Sequence, residues 1–203
     1  SKTRVGGTKQ LNIDVIRSLN PDLIIGNKEE NTKEDIELLK QIAPVWMSDI
    51  STLDESYEMI NQIGALTNST IKASQIVAEI KLEFSKIIRS DFNKTVLYFI
   101  WENPYFVAGK NTFIDSIISE LGFNNFCQEE RYPELKNEEE NFPNYIFLSS
   151  EPYPFKKEDV EEMKLKYPNS NVVIVDGEMF SWYGSRLKYA PNYFIELIQQ
   201  LTD

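Results

Sequence analysis

The sequence predicts an α/β protein of two lobes, each on a mainly parallel sheet, joined by one long α-helix. Three observations carry this expectation. First, short apolar runs alternate with capped helical segments on both sides of mid-chain, the order that yields parallel strands with right-handed helical crossovers. Second, residues 68–92, NSTIKASQIVAEIKLEFSKIIRSDF, hold neither Gly nor Pro. They repeat apolar residues at helical spacing through Ile76, Val77, Ile80, Phe84, Ile87 and Ile88. Third, 203 residues with 41% hydrophobic and 26% charged content suffice for one large core or two small ones. The expected division is an N-terminal α/β lobe over 1–67, a connecting helix over 68–92 and a C-terminal α/β lobe over 93–203. Twenty-five helical residues span about 35 Å, more than a small lobe needs, so the helix reads as a rod with a cleft beside it.

Arg4-Val5-Gly6-Gly7 reads as a strand end entering a turn. Leu11 to Leu19 reads as a short amphipathic helix, broken by Asn20-Pro21-Asp22. Leu23-Ile24-Ile25-Gly26 is continuously apolar, the pattern of a parallel strand covered on both faces. Thr32-Lys33-Glu34-Asp35 opens a helix through Ile42, and Thr52-Leu53-Asp54-Glu55 opens another to about Leu66. Pro44 to Met47 is the strand between them. Asn68 and Ser69 are the candidate caps of the long helix. Past it, Thr95 to Ile100, Tyr145 to Leu148 and Val172 to Val175 read as strands. Thr112 to Leu121, Phe155 to Leu165 and Leu187 to Leu201 read as helices, with Gly122 closing the first of these. The acidic run from Gln128 to Asn141 reads as a solvated loop or short helix.

Composition excludes much. A net charge of -11 disfavours nucleic acid and anionic membrane surfaces as partners. One cysteine, Cys127, forbids an internal disulfide. The absence of histidine rules out Ser-His-Asp and Cys-His chemistry and metal sites built on imidazole. No apolar run reaches the length of a membrane span, and the opening SKTRVGG carries no signal-peptide core.

Ligands of parallel α/β sheets bind outside the carboxyl ends of strands. Four such ends are readable: Gly26–Glu30, Trp101–Tyr105, Ser149–Phe155 and Asp176–Arg186. The last three are dense in aromatic residues, which give large contact area at low entropic cost. Trp101, Tyr105, Tyr153, Trp182 and Tyr183 are the candidate ring contacts for a bulky ligand. Arg186 is the candidate anion contact or the partner of a carboxylate, and Glu151 a polar contact. Glu102, Glu151 and Glu178 end three strands, which leaves an acid/base pair open; the alternative is carboxylates at helix N-termini.

VGGTKQLNIDVIRSLNPDLIIGNKEEN, NPYFVAGKNTFIDSIISELGFNNF, SSEPYPF and DGEMFSWYGSRL together cover most of the chain. They resemble the substrate-binding proteins of ABC importers for cobalamin and iron-siderophores, the last two resembling the cobalamin-binding branch. The resemblance implies a class III periplasmic-binding-protein-like fold with two lobes on one long backbone helix. It implies a non-covalently held metal chelate as ligand (cobalamin, haem or a siderophore), an ABC permease as partner, and a periplasmic or lipoprotein location. It also implies docking glutamates on each lobe, for which Glu34 or Glu30 and Glu178 are the candidates. Relatives carry another strand and helix before Val-Gly-Gly, so the N-lobe is expected to be incomplete, with self-association as one way to complete it. The alternatives are an intracellular, cytoplasmic interaction module on the same fold and a carboxylate-based hydrolase.

Overall fold

A computed structural model describes residues 2–89, 93–135 and 142–202. The chain forms two compact units, Ser1–Asp49 and Ile50–Asp203.

In the first unit, β1 (Gly6–Gly7) and β2 (Gln10–Leu11) form a small antiparallel hairpin. Gly6 sits at φ +107°, and a Cβ there would lie 2.3 Å from the Gln10 carbonyl oxygen, so only glycine fits. α1 (Ile13–Ser18) is capped by Asn12, whose side chain accepts from the Val15 N–H. It starts two residues later than the sequence suggests, because Leu11 is taken up in the hairpin. β3 (Ile24–Asn27) pairs in parallel with β4 (Val45–Ser48), from Ile24 opposite Val45 to Asn27 opposite Ser48. α2 (Lys33–Leu39) connects them, capped by the Thr32 hydroxyl at the Asp35 N–H. Its expected extension to Ile42 is a turn instead. Ile16, Ile36 and Leu39 form the core, with Leu11, Ile24 and Val45 packed against them. Expected to be covered on both faces, β3 instead leaves Ile25 47% exposed.

The second unit opens with α3 (Leu53–Leu66), capped by a complete box: Thr52 receives the Glu55 N–H and Glu55 receives the Thr52 N–H. α4 (Thr70–Phe84) is shorter than the helix expected over 68–92. Its described continuation, from Ser85 to Arg89, is turn and coil, and residues 90–92 lie outside the described part. The buried stripe is Ala73, Val77, Ile80 and Phe84, whereas Ile88 is 85% exposed. Neither expected cap works as one: Asn68 sits at φ 53° and the Ser69 hydroxyl donates backwards to the Thr67 carbonyl. That turn folds α4 onto α3, and the two pass so closely that a Cβ on Gly64 would lie 2.4 Å from that of Ala73. Both helices belong to the second compact unit, so the break between units falls after Asp49 rather than at 67.

The sheet of this unit runs β6-β5-β8-β9. β5 (Thr95–Trp101), β8 (Tyr145–Ser149) and β9 (Asn171–Val175) are parallel neighbours. Two short strands unforeseen in the sequence share the outer edge of β5: β6 (Phe106–Val107), antiparallel, and β7 (Asn124–Asn125), parallel. α5 (Phe113–Glu120) and α6 (Lys157–Lys166) follow the expected positions. Thr112 caps α5, and Gly122 follows it at φ 86°. A five-residue helix, α7 (Gly177–Ser181), and a 3-10 turn over Ser185–Tyr189 precede α8 (Ala190–Thr202). The expected final helix from Leu187 therefore starts three residues late. Leu97, Phe99, Ile146, Leu148 and Phe155 fill one side of the sheet, together with Cys127. Residues 136–141 of the acidic run lie outside the described part.

Candidate functional site

The carboxyl ends of β5, β8 and β9 lie side by side because those strands are adjacent in the sheet. Three of the four strand ends picked from the sequence thus form one rim on the second unit. The β8–α6 loop is the middle of it. Its Tyr153 N–H reaches the Ile100 carbonyl of β5, and its Ser150 N–H the Val175 carbonyl of β9.

At one end of the rim, Trp101 is 43% exposed and meets Tyr153 edge-on at 5.7 Å. Tyr153 in turn meets Phe155 edge-on at 4.7 Å, and its hydroxyl donates to Glu102. That hydrogen bond is the first cause pushing the Tyr153 phenol up to about 12; burial and the charges of Glu102, Asp159 and Glu162 add to it.

At the other end, Trp182 is 47% exposed. Its indole N–H donates to Glu151 Oε1 at 2.6 Å, and the Ser181 hydroxyl reaches the same oxygen at 3.3 Å. Arg186 lies over the Trp182 ring at 5.1 Å and pairs with Glu178 at 2.5 Å. Arg186 thus pairs with a carboxylate of the rim, one of the two partners the sequence left open for it.

Tyr105 and Tyr183 are placed differently. Tyr105 packs edge-on against Phe99 at 5.4 Å and donates to Glu162 at 3.1 Å, with Lys166 over its ring. Burial, foremost, raises its phenol. Tyr183 meets Phe113 at the start of α5 at 5.2 Å. The structure thus unites Trp101, Tyr153, Glu151, Trp182 and Arg186 on one rim, and turns Tyr105 toward α6 and Tyr183 toward α5. In the first unit, Glu30 accepts from the Thr8 hydroxyl at 3.2 Å, and Glu34 is exposed in the first turn of α2.

Several supports went unread in the sequence. Ser149 is buried, donates to the Glu151 carbonyl at 2.5 Å and receives the hydroxyl of the fully buried Tyr98. Ser150 receives the Gly177 N–H at 3.0 Å. A Cβ on Gly177 would fall 2.3 Å from Ser149 Oγ and 2.7 Å from Glu151 Cγ, so glycine is what lets α7 seat against the loop. Gly177 follows Asp176, whose side chain caps α7, and that Asp-Gly pair was the available signal.

A separate cavity of about 480 Å³ opens beside α3 and α4, lined by Leu53, Tyr57, Lys81, Phe84, Arg89 and Glu120 among others. It shares no residue with the rim. Among the described residues no group of three or more His, Cys, Asp or Glu is placed to hold a metal ion, and no helix is long and apolar enough to cross a membrane.

The periplasmic binding protein family matches residues 1–165. Among curated proteins, the chain is 24% identical over 136 residues to an uncharacterized ABC transporter substrate-binding lipoprotein, YvrC, of Bacillus subtilis. The match covers 61% of this chain and 43% of that one, so it spans under half the relative's length. Among solved structures, the periplasmic vitamin B12 binding protein BtuF of Vibrio cholerae superposes with a TM-score of 0.72 at 19% identity, covering 98% of this chain and 82% of that one. The periplasmic heme binding protein HutB of the same organism gives 0.76 at 20% identity, covering 95% and 83%. An α/β chain whose parallel strands end in one aromatic rim, and whose sequence meets the family over most of its length, belongs to the periplasmic binding protein family.

Proposed function

We propose that this chain is the solute-capturing part of an ABC importer, working outside the cytoplasm, and that its cargo is a bulky metal chelate, a corrinoid foremost. The observation that carries the reading is the pair of exposed indoles, Trp101 and Trp182, each fixed by a neighbour on one rim. Large rings held rigid lose little freedom on binding, and a flat macrocycle offers a matching face. A chelate brings its own metal ligands, which suits a chain without histidine. The family and the vitamin B12 and heme binding neighbours support the same class of cargo. Capture is non-enzymatic: Glu102 and Glu151 are held as acceptors by Tyr153 and Trp182, which suits positioning rather than proton transfer. Glu30 or Glu34 on the first unit and Glu178 on the second are proposed to meet the permease.

Titration of intrinsic tryptophan fluorescence with cobalamin tests this. Saturable quenching with one-to-one stoichiometry is expected, and a Trp101→Leu/Trp182→Leu double variant loses it. Unchanged emission at high micromolar cobalamin counts against this cargo.

A further inference from the structure

We propose that the rim sorts chelates by charge, accepting those edged with N–H donors or positive charge and rejecting those edged with carboxylates. This rests on the chelate reading above and narrows it.

The two exposed indoles each stand beside a carboxylate that the protein holds in place from one side only. Glu151 accepts from both Trp182 Nε1–H and the Ser181 hydroxyl on Oε1. Its Oε2 meets no donor among the described residues. Glu102 takes the Tyr153 hydroxyl on Oε2, and its Oε1 is likewise left open. Each is a positioned anionic acceptor with an open lone pair beside an exposed ring. Such an atom keeps its hydration until something donates to it, so a ligand that covers it must bring an N–H or a cation. A ligand carboxylate placed there would strip water from two like charges at once.

The rim has little to offset this. Arg186, the cation at Trp182, is already matched by Glu178. Lys110 and Lys188 on flanking elements are paired with Asp115 and Glu79. The start of α6, Lys156-Lys157-Glu158-Asp159, balances its own charges. The Tyr153 phenol, raised first by its hydrogen bond to Glu102 and by burial, also feels the charges of Glu102, Asp159 and Glu162.

Two probes of opposite edge chemistry test the inference on the intact chain. Aquacyanocobinamide is a cationic corrinoid ringed by amide arms, and haemin carries two carboxylates. In matched buffers, cobinamide is expected to bind at least about tenfold more tightly. Glu102→Gln and Glu151→Gln, checked by circular dichroism, each weaken cobinamide by about three- to tenfold and narrow the ratio. Added salt does the same. Haemin bound as tightly as cobinamide, or a ratio untouched by both substitutions, overturns the charge rule while leaving chelate capture standing. Binding of neither probe removes chelate capture itself, and the charge rule with it.

Discussion

Trp182 is 47% exposed while its N–H anchors Glu151, so in the proposed capture one side chain is to serve as both contact and support. Trp182→Phe keeps most of the ring and loses the anchor. We expect corrinoid affinity to fall by about tenfold, within the range for losing a charge-assisted hydrogen bond, while thermal melting moves by no more than about 3 °C. Fluorescence titration and calorimetry check the two halves. Tyr153 gives a second prediction. Its folded phenol is raised above the ordinary value, so the stability it contributes is fully present below about pH 10. That stability is lost as pH climbs toward about 12. Phenolate absorbance should show this group titrating late, and Glu102→Gln should bring it back toward the ordinary range. The caps at Thr32 and Thr52 were legible because a cap bonds within four residues. Which neighbour each tyrosine turns to was not legible. Tyr105 and Tyr153 have similar neighbours in sequence, and only partners some fifty residues away, Glu162 and Glu102, set their directions.

The helical hairpin of α3 and α4 turns on one small residue. A methyl on Gly64 would collide with Ala73, so Gly64→Ala is expected to destabilise the second unit by about 1–3 kcal/mol despite a better helix propensity. Thr52→Ala removes one half of the capping box and should cost about 1 kcal/mol. Denaturant melts of the two variants check both. The apolar spacing over 68–92 identified the helix but not its end. Periodicity continues through Ile87 and Ile88, yet Ile88 finds nothing to pack on among the described residues. Propensity alone does not extend a helix beyond its packing surface. Strands of two residues, β6 and β7, and the five-residue α7 escaped notice because elements that short carry no periodic signal. The parallel order of β5, β8 and β9 was readable, since each strand is continuously apolar and separated from the next by a crossover.

At the scale of the whole molecule, the two compact units differ in what holds them. The first rests on Ile16, Ile36 and Leu39 and on a two-stranded parallel sheet. The second buries Tyr98, Phe99, Phe147, Phe180 and Phe194 completely. A small unit buries a smaller share of its surface and opens more readily. Hydrogen exchange should therefore find the β3–β4 amides, such as Ile24 bonded to Pro44, released well before those of β8. Equal protection in both would contradict this. The division after Asp49 was not legible because it depends on how α3 and α4 pack, whereas the aromatic strand ends were legible as a group. One rim of the second unit is proposed to receive a flat chelate. A crystal structure of the corrinoid complex tests it most directly. The macrocycle is expected in contact with Trp101 and Trp182, with an amide arm donating to Glu102 or Glu151. A corrinoid seated elsewhere, such as in the cavity beside Tyr57, with both indoles left bare, would contradict it.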